Sequence, residues 1–122
     1  DTAVRHKIPI VVVVNNDQGW GMIRHGQRTR YGSDRVVGAE LGATRYDLVA
    51  EGFGAHAEFV TTASEIGPAI KRALASGKTA CINVITDPDQ PHMTSIAMAK
   101  GSLPEGEVEL PYYGKKKLVP TA

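Results

Sequence analysis

The chain has 122 residues, of which 42% are hydrophobic and 6% aromatic, with a formal net charge of +1. That supplies an aliphatic core for one domain and gives no whole-chain field favouring nucleic acid or a membrane surface. The lone cysteine, Cys81, excludes a disulfide scaffold and points to a reducing, cytoplasmic compartment; no signal peptide or membrane-length apolar run of about 20 residues is present.

Asp1 to Lys7 reads as the end of a helix. Arg5, His6 and Lys7 suit the negative end of its dipole, and Pro9 limits its continuation. From Ile8 to Val14 the chain is aliphatic apart from that proline. Neighbouring strand residues point to opposite faces, so this run predicts a central parallel strand buried on both sides. It opens into Asn15-Asn16-Asp17-Gln18-Gly19, rich in oxygen donors. Open α/β sheets hold their ligands beyond such strand ends.

Gly19 and Gly21 give the backbone freedom around Trp20. Met22, Ile23 and Gln27 can start a helix that Gly26 weakens. Arg24, Arg28, Arg30 and Arg35 make the next stretch basic. A solvated surface is preferred there over a segment beside an anionic substrate or phosphate. Gly32 to Gly42 reads as a loop. Thr44-Arg45-Tyr46-Asp47 fits a capping box, opening a helix with Tyr46, Val49, Ala50 and Phe53 on one face and Gly54 at its end. His56 to Val60 is a short strand. Thr62 or Ser64 caps a further helix, with Pro68 in its early turns and Ile66, Ile70, Ala73 and Leu74 as its apolar face.

Thr79 to Thr86 is another buried strand, stopped by Asp87-Pro88. Strand, helix, strand, helix, strand predicts a parallel sheet with right-handed crossovers. From Asp87 onward prolines and glycines recur without a sustained period. Met93 to Ala99 can form one short helix, and the rest reads as an extended tail wrapping a larger body or as partly disordered. Leu110-Pro111-Tyr112-Tyr113 is apolar enough to dock, and Lys115-Lys116-Lys117 reads as a solvated patch.

The stretch around the first strand resembles the second half of the thiamine diphosphate-binding motif. Asp1-Thr2 matches the end of its middle element, and Ile8-Pro9, the apolar run and Asn15-Asn16 match its close. Asn16-Asp17-Gln18-Gly19-Trp20-Gly21-Met22-Ile23 is similar to the acetolactate-synthase-like branch. A lone Asn-Asn is an ordinary turn sequence; the flanking matches carry the resemblance. It implies an α/β fold, part of a three-layer α/β/α parallel-sheet domain with an irregular C-terminal tail. Residues 1–90 would be the second half of the diphosphate- and Mg²⁺-binding domain, and 91–122 the tail. The opening Gly-Asp-Gly would lie upstream of Asp1, so a chain starting partway through its domain is expected.

The resemblance also implies a site. Asn16 would ligate Mg²⁺ through its side chain and Gln18 through its main-chain oxygen. Both are hard, neutral oxygens, and the diphosphate supplies most of the charge. Asn15 shapes the turn, and the Asp17 side chain points elsewhere. Gly19, Trp20, Gly21 and Met22 would contact the cofactor; for Trp20 and Met22 packing remains the alternative. No catalytic residue is assigned in this chain, because the family's glutamate sits on a separate pyrimidine-binding domain, usually of a partner subunit. The implied activity is C–C bond making or breaking at a small 2-oxo acid or acyl donor, by a homo-oligomer (dimer or tetramer), with no nucleic acid or membrane partner. The 122-residue chain alone is expected to be inactive. The rival is a non-catalytic α/β small-molecule-binding or assembly module; no Gly-rich dinucleotide fingerprint or Walker loop supports it. His6, His25, His56 and His92 share no ligand spacing with one another or with Cys81, which argues against structural zinc.

Overall fold

The structure, a computed structural model, describes residues 1–90, 107–110 and 114–117. The expected Met93–Ala99 helix, Pro111-Tyr112-Tyr113 and most of the expected tail lie outside the described residues. The elements in order are α1 (Thr2–Arg5), β1 (Val11–Asn16), α2 (Gly21–Tyr31), a 3-10 turn (Ser33–Arg35), α3 (Tyr46–Gly52), β2 (His56–Val60), α4 (Ala63–Ala75), β3 (Ala80–Ile85), β4 (Glu107–Leu110) and β5 (Gly114–Lys117). They divide into two units, residues 1–19 with 41–88, and residues 20–40 with 89–122.

In the first unit the alternation of strands and helices gives a parallel sheet of order β1-β3-β2. β3 lies in the middle. Ala80 to Val84 are all buried, with Ile82 and Asn83 at 0% exposure. Val60, Ala69, Ala73, Ala80, Ile82 and Val84 form the core, and Val11, Ile66 and Ile70 pack against it. The inward stripe of α4 is therefore Ile66, Ala69, Ile70 and Ala73. Leu74, expected on that stripe, is exposed; it lies at i+8 from Ile66, on the margin of the buried face.

The expectation of a strand dry on both faces fits β3 and not β1. Val12 and Val13 are each 44% exposed. Among the described residues β1 pairs with β3 alone, so it has one sheet neighbour where β3 has two. α3 also departs from its pattern. Val49 and Phe53 are exposed, the N-cap Arg45 makes no side-chain cap bond, and the buried residue is Asp47. The expected capping box at Thr44 is absent because the Asp47 carboxylate is turned inward to polar partners.

Other local signals hold. Gly54 follows α3 at φ +92°, and its N–H donates to Glu51 O at 2.7 Å. Thr62 caps α4, its N–H and hydroxyl both donating to the Glu65 carboxylate at 3.2 and 2.9 Å. On β2, Glu58 accepts from Arg72 Nε and NH2 at 2.9 and 2.8 Å and contacts His56 Nε2 at 2.9 Å. The Arg72 guanidinium, followed by His56, holds the Glu58 carboxyl below its usual range against the opposing effect of burial.

In the second unit α2 runs eleven residues straight through Gly26. The Gln27 side chain pins the returning chain, donating to Val37 O at 3.2 Å and accepting from Val37 N–H at 3.0 Å. The basic stretch is not simply solvated. Arg24 is 2% exposed with Nε 3.2 Å from the Glu40 carboxylate, and Arg28 pairs with Asp89 at 2.8 Å. β4 and β5 form an antiparallel pair, with Glu107 opposite Lys117 and Glu109 opposite Lys115. Those strands gave no periodic signal in the sequence.

Candidate functional site

β1 delivers Asn15-Asn16 at the carboxyl end of the sheet. Its ladder with β3 reaches the last residue, where the Thr86 N–H donates to Asn16 O at 3.0 Å. Asn16 is 5% exposed. Its Oδ1 accepts the Gln18 N–H at 3.0 Å, and Asp17 Oδ1 accepts the Gly19 N–H at 3.2 Å. Two overlapping Asx turns thus fold the loop, each side chain replacing a peptide carbonyl as local acceptor. Gln18 sits in the left-handed region at φ +59°, a conformation that costs a non-glycine residue about 1 kcal/mol or more. Its carbonyl accepts the Leu41 N–H at 2.9 Å.

The Asn16 nitrogen faces inward. Nδ2 donates to Thr44 O at 2.9 Å and to Asn83 Oδ1 at 3.1 Å. Asn83 Nδ2 donates to Asp47 Oδ1 at 2.9 Å and lies 3.4 Å from Thr44 O. Arg45 grips the same carboxylate from outside, with Nε 3.0 and 3.2 Å from Oδ1 and Oδ2 and NH2 2.6 Å from Oδ2. The Arg45 guanidinium also lies 4.0 Å from the Phe59 ring centroid, a cation–π contact. Asp47 is 3% exposed, yet its carboxyl is held below the usual range, first by the Arg45 hydrogen bonds and then by Asn83. Cys81 is an 8%-exposed thiol near Tyr46 O, pushed up by burial and then by the Asp47 charge.

The remaining expected site residues divide between the two units. Gly19 stays with Asn16 and Gln18 in the first. Trp20, Gly21 and Met22 start α2 in the second, where Trp20 N–H donates to Ala39 O at 2.8 Å. Trp20 and Met22 are 58% and 78% exposed. Among the described residues no side chain caps α2; first-turn helix amides are donors of the kind that suit phosphate oxygens.

Sequence reasoning missed Asp47, Asn83 and Arg45. The available signal was Asn83 itself. An amide between Ile82 and Val84 in a buried strand must find partners, because an unpaired buried polar group is costly.

A parallel α/β sheet with an Asn-Asp turn at the carboxyl end of a strand defines the class as an α/β domain whose polar strand-end loop lies where such folds hold ligands. Its family follows from comparison with known proteins. The family model for the thiamine pyrophosphate enzyme C-terminal TPP-binding domain matches residues 1–84, and the chain belongs to that family. It is 43% identical over 88 residues to a probable acetolactate synthase of Mycobacterium bovis, covering 72% of this chain and 16% of that protein. It is 36% identical over 101 residues to a 2-hydroxyacyl-CoA lyase of Saccharomyces cerevisiae, covering 80% of this chain and 17% of that protein. A sulfoacetaldehyde acetyltransferase of Alcaligenes xylosoxydans is 33% identical over 88 residues, 69% of this chain and 14% of that protein. The chain therefore spans about a sixth of the length of these relatives.

The donor set suits a hard cation shared with phosphate. Asn16 Oδ1 and Gln18 O each accept one hydrogen bond, and each oxygen keeps a second lone pair. Among the described residues no group of three or more His, Cys, Asp or Glu could hold a metal ion. The two oxygens named here are both neutral, so most of the charge balance for an ion held by them would come from other ligands, a shared phosphate above all.

Proposed function

We propose that this chain supplies part of the diphosphate–Mg²⁺ site of a thiamine diphosphate-dependent enzyme that makes or breaks C–C bonds at a 2-oxo acid or acyl donor. The observation that carries this reading is the Asn16 turn, with one side-chain oxygen and one peptide of the same tight loop at the carboxyl end of the β1–β3 ladder. Asn16 would hold Mg²⁺ through Oδ1 and Gln18 through its carbonyl. Gly19, Trp20, Gly21 and Met22 would lie along the cofactor. When bound, thiamine diphosphate supplies the nucleophilic carbon and the electron sink. This chain's residues would anchor and orient the diphosphate end, and the acid–base group for the reaction would come from elsewhere in the enzyme. The relatives' names differ in reaction, so the substrate stays at the level of a class.

The same reading takes residues 1–90 as half of the binding domain and 91–122 as a tail. It places the missing glutamate on the pyrimidine-binding domain of a partner subunit in a cytoplasmic dimer or tetramer. The buried, free Cys81 is in keeping with a reducing compartment. The test is Asn16→Ala in the full-length protein that carries this chain. Calorimetry should show Mg²⁺-dependent thiamine diphosphate binding weakened at least about 10-fold, with the far-UV circular dichroism unchanged. Unaltered binding would refute the assignment.

A further inference from the structure

The buried polar chain running from the Asn16 loop to Arg45 has a direction. We propose that Asn83 and Asp47 are positioning residues: the Asp47 carboxylate sets the orientation of the Asn83 amide, which in turn sets the orientation of Asn16 and so presents its oxygen, not its nitrogen, to the metal loop. This rests on the diphosphate–Mg²⁺ reading above.

An ionised carboxylate only accepts hydrogen bonds. Arg45 binds both oxygens of Asp47 at 2.6 to 3.2 Å, which favours the charged form. Asn83 must therefore aim Nδ2 at Asp47, as it does at 2.9 Å. Its Oδ1 is then left facing Asn16 and can only accept. Asn16 answers with Nδ2 at 3.1 Å, supported by the Thr44 carbonyl at 2.9 Å, another group that only accepts. With Nδ2 committed twice, Oδ1 ends on the Gln18 side. Reversing Asn83 would set its oxygen against the carboxylate and its NH₂ against the Asn16 NH₂. Reversing Asn16 would set its NH₂ against the Gln18 N–H and its oxygen against Thr44 O. An NH₂ group cannot ligate a cation, so the Asp47–Asn83 pair, together with Thr44 O and the Gln18 N–H, holds Asn16 in the orientation that offers the loop an oxygen.

Burial makes the device selective. Asp47 and Asn83 are 3% and 0% exposed, so no water competes for their bonds and an inverted amide would stay unsatisfied. The placement also explains why a polar residue sits in the middle of β3. Asn83 lies between two apolar neighbours in the register, opposite Val14 of β1 and Phe59 of β2.

The experiment uses the full-length protein, with Mg²⁺ titrated against thiamine diphosphate binding by calorimetry and against turnover. Asn83→Leu should raise the Mg²⁺ requirement about 10- to 100-fold, the usual effect of removing a partner behind a metal ligand. Turnover should recover at saturating Mg²⁺, and the metal-free variant should keep the unaltered far-UV circular dichroism and thermal midpoint, which general damage to the fold would lower. Asn83→Asp keeps the shape but sets a second carboxylate against Asp47, and should weaken Mg²⁺ binding. Adding Asp47→Asn restores one donor and one acceptor between the two positions and should recover most of the lost affinity. An Asn83→Leu protein with the unaltered Mg²⁺ requirement, beside an Asn16→Ala protein that has lost it, overturns the positioning role and leaves the site standing. An unaltered requirement in Asn16→Ala as well removes the site reading and this proposal together. Should Asn83→Leu fail to fold, the isosteric pair decides: no loss in the single variant, or no recovery in the double, overturns the proposal.

Discussion

β1 and β3 are parallel neighbours of six residues each, paired from Val11 with Ala80 to Asn16 with Ile85. β1 carries four consecutive valines, whereas β3 holds an asparagine between Ile82 and Val84. Composition does not mark either strand as the exposed one: β1 has four valines before its two asparagines, and β3 has a single asparagine among five apolar residues. In the fold they part, with Val12 and Val13 nearly half exposed and Asn83 fully buried. Burial follows from neighbours, not from hydropathy alone. β3 has a strand on each side, and α3 and α4 pack against it. Its one polar side chain is tolerated because each of its amide atoms has a partner.

The largest expected break in this comparison is a cavity in β3. Ile82→Ala should destabilise this chain by about 3 kcal/mol, from lost burial plus an unfilled void. Val13→Ala on β1 should cost well under half of that. Urea denaturation of the two variants side by side reads the difference directly. Equal losses would mean that β1 is as enclosed as β3.

Next comes the polar partner that β3 requires. Asp47→Ala strips the shorter of two acceptors from the buried Asn83 amide, leaving only Thr44 O at 3.4 Å, and should cost about 1 to 2 kcal/mol. Thermal unfolding measures it, and a shift near zero would mean that Asn83 finds another acceptor.

Thr62→Ala touches neither strand and serves as a calibration. Losing the cap at the head of α4 should cost about 1 kcal/mol.

Acid sharpens the same contrast. The carboxyls of Asp47 and Glu58 are both held below their ordinary values in the folded chain, chiefly by Arg45 and Arg72 respectively. Each therefore contributes stability that is fully present above its unfolded pKa and is lost as pH falls through the lower folded value. Stability should be flat from neutral pH down to the ordinary carboxylate range and decline below it. Asp47→Asn should remove part of that decline, which pH-dependent denaturation of both proteins would reveal. An unchanged acid profile would show that Asp47 is not held ionised by the fold.

Much of the architecture was legible in the residues. The His56–Val60 strand, the Gly54 stop, the Thr62 cap and the break at Asp87-Pro88 all rest on local chemistry. α2 was harder, since Gly26 argued against it; its length is supported by Gln27 bonding to Val37, ten residues on. Within the candidate site, the Asn-Asn-Asp turn was readable because Asn and Asp bond to peptides two residues ahead. Its supports were not. Arg45 and Asp47 looked like a helix cap, because the chain shows four adjacent residues and not the amide packed against them from β3.

The sequence by itself determined the family, the parallel alternation and the loop of neutral oxygens at a strand end, since each depends on neighbours within a few residues. Tertiary structure alone decided which strand is central and which way the Asn16 amide points. Both depend on partners far along the chain, Asn83 being 67 residues from Asn16. An amide has two orientations of nearly equal shape, and only the charge and hydrogen-bond polarity of what it meets in the fold can choose between them.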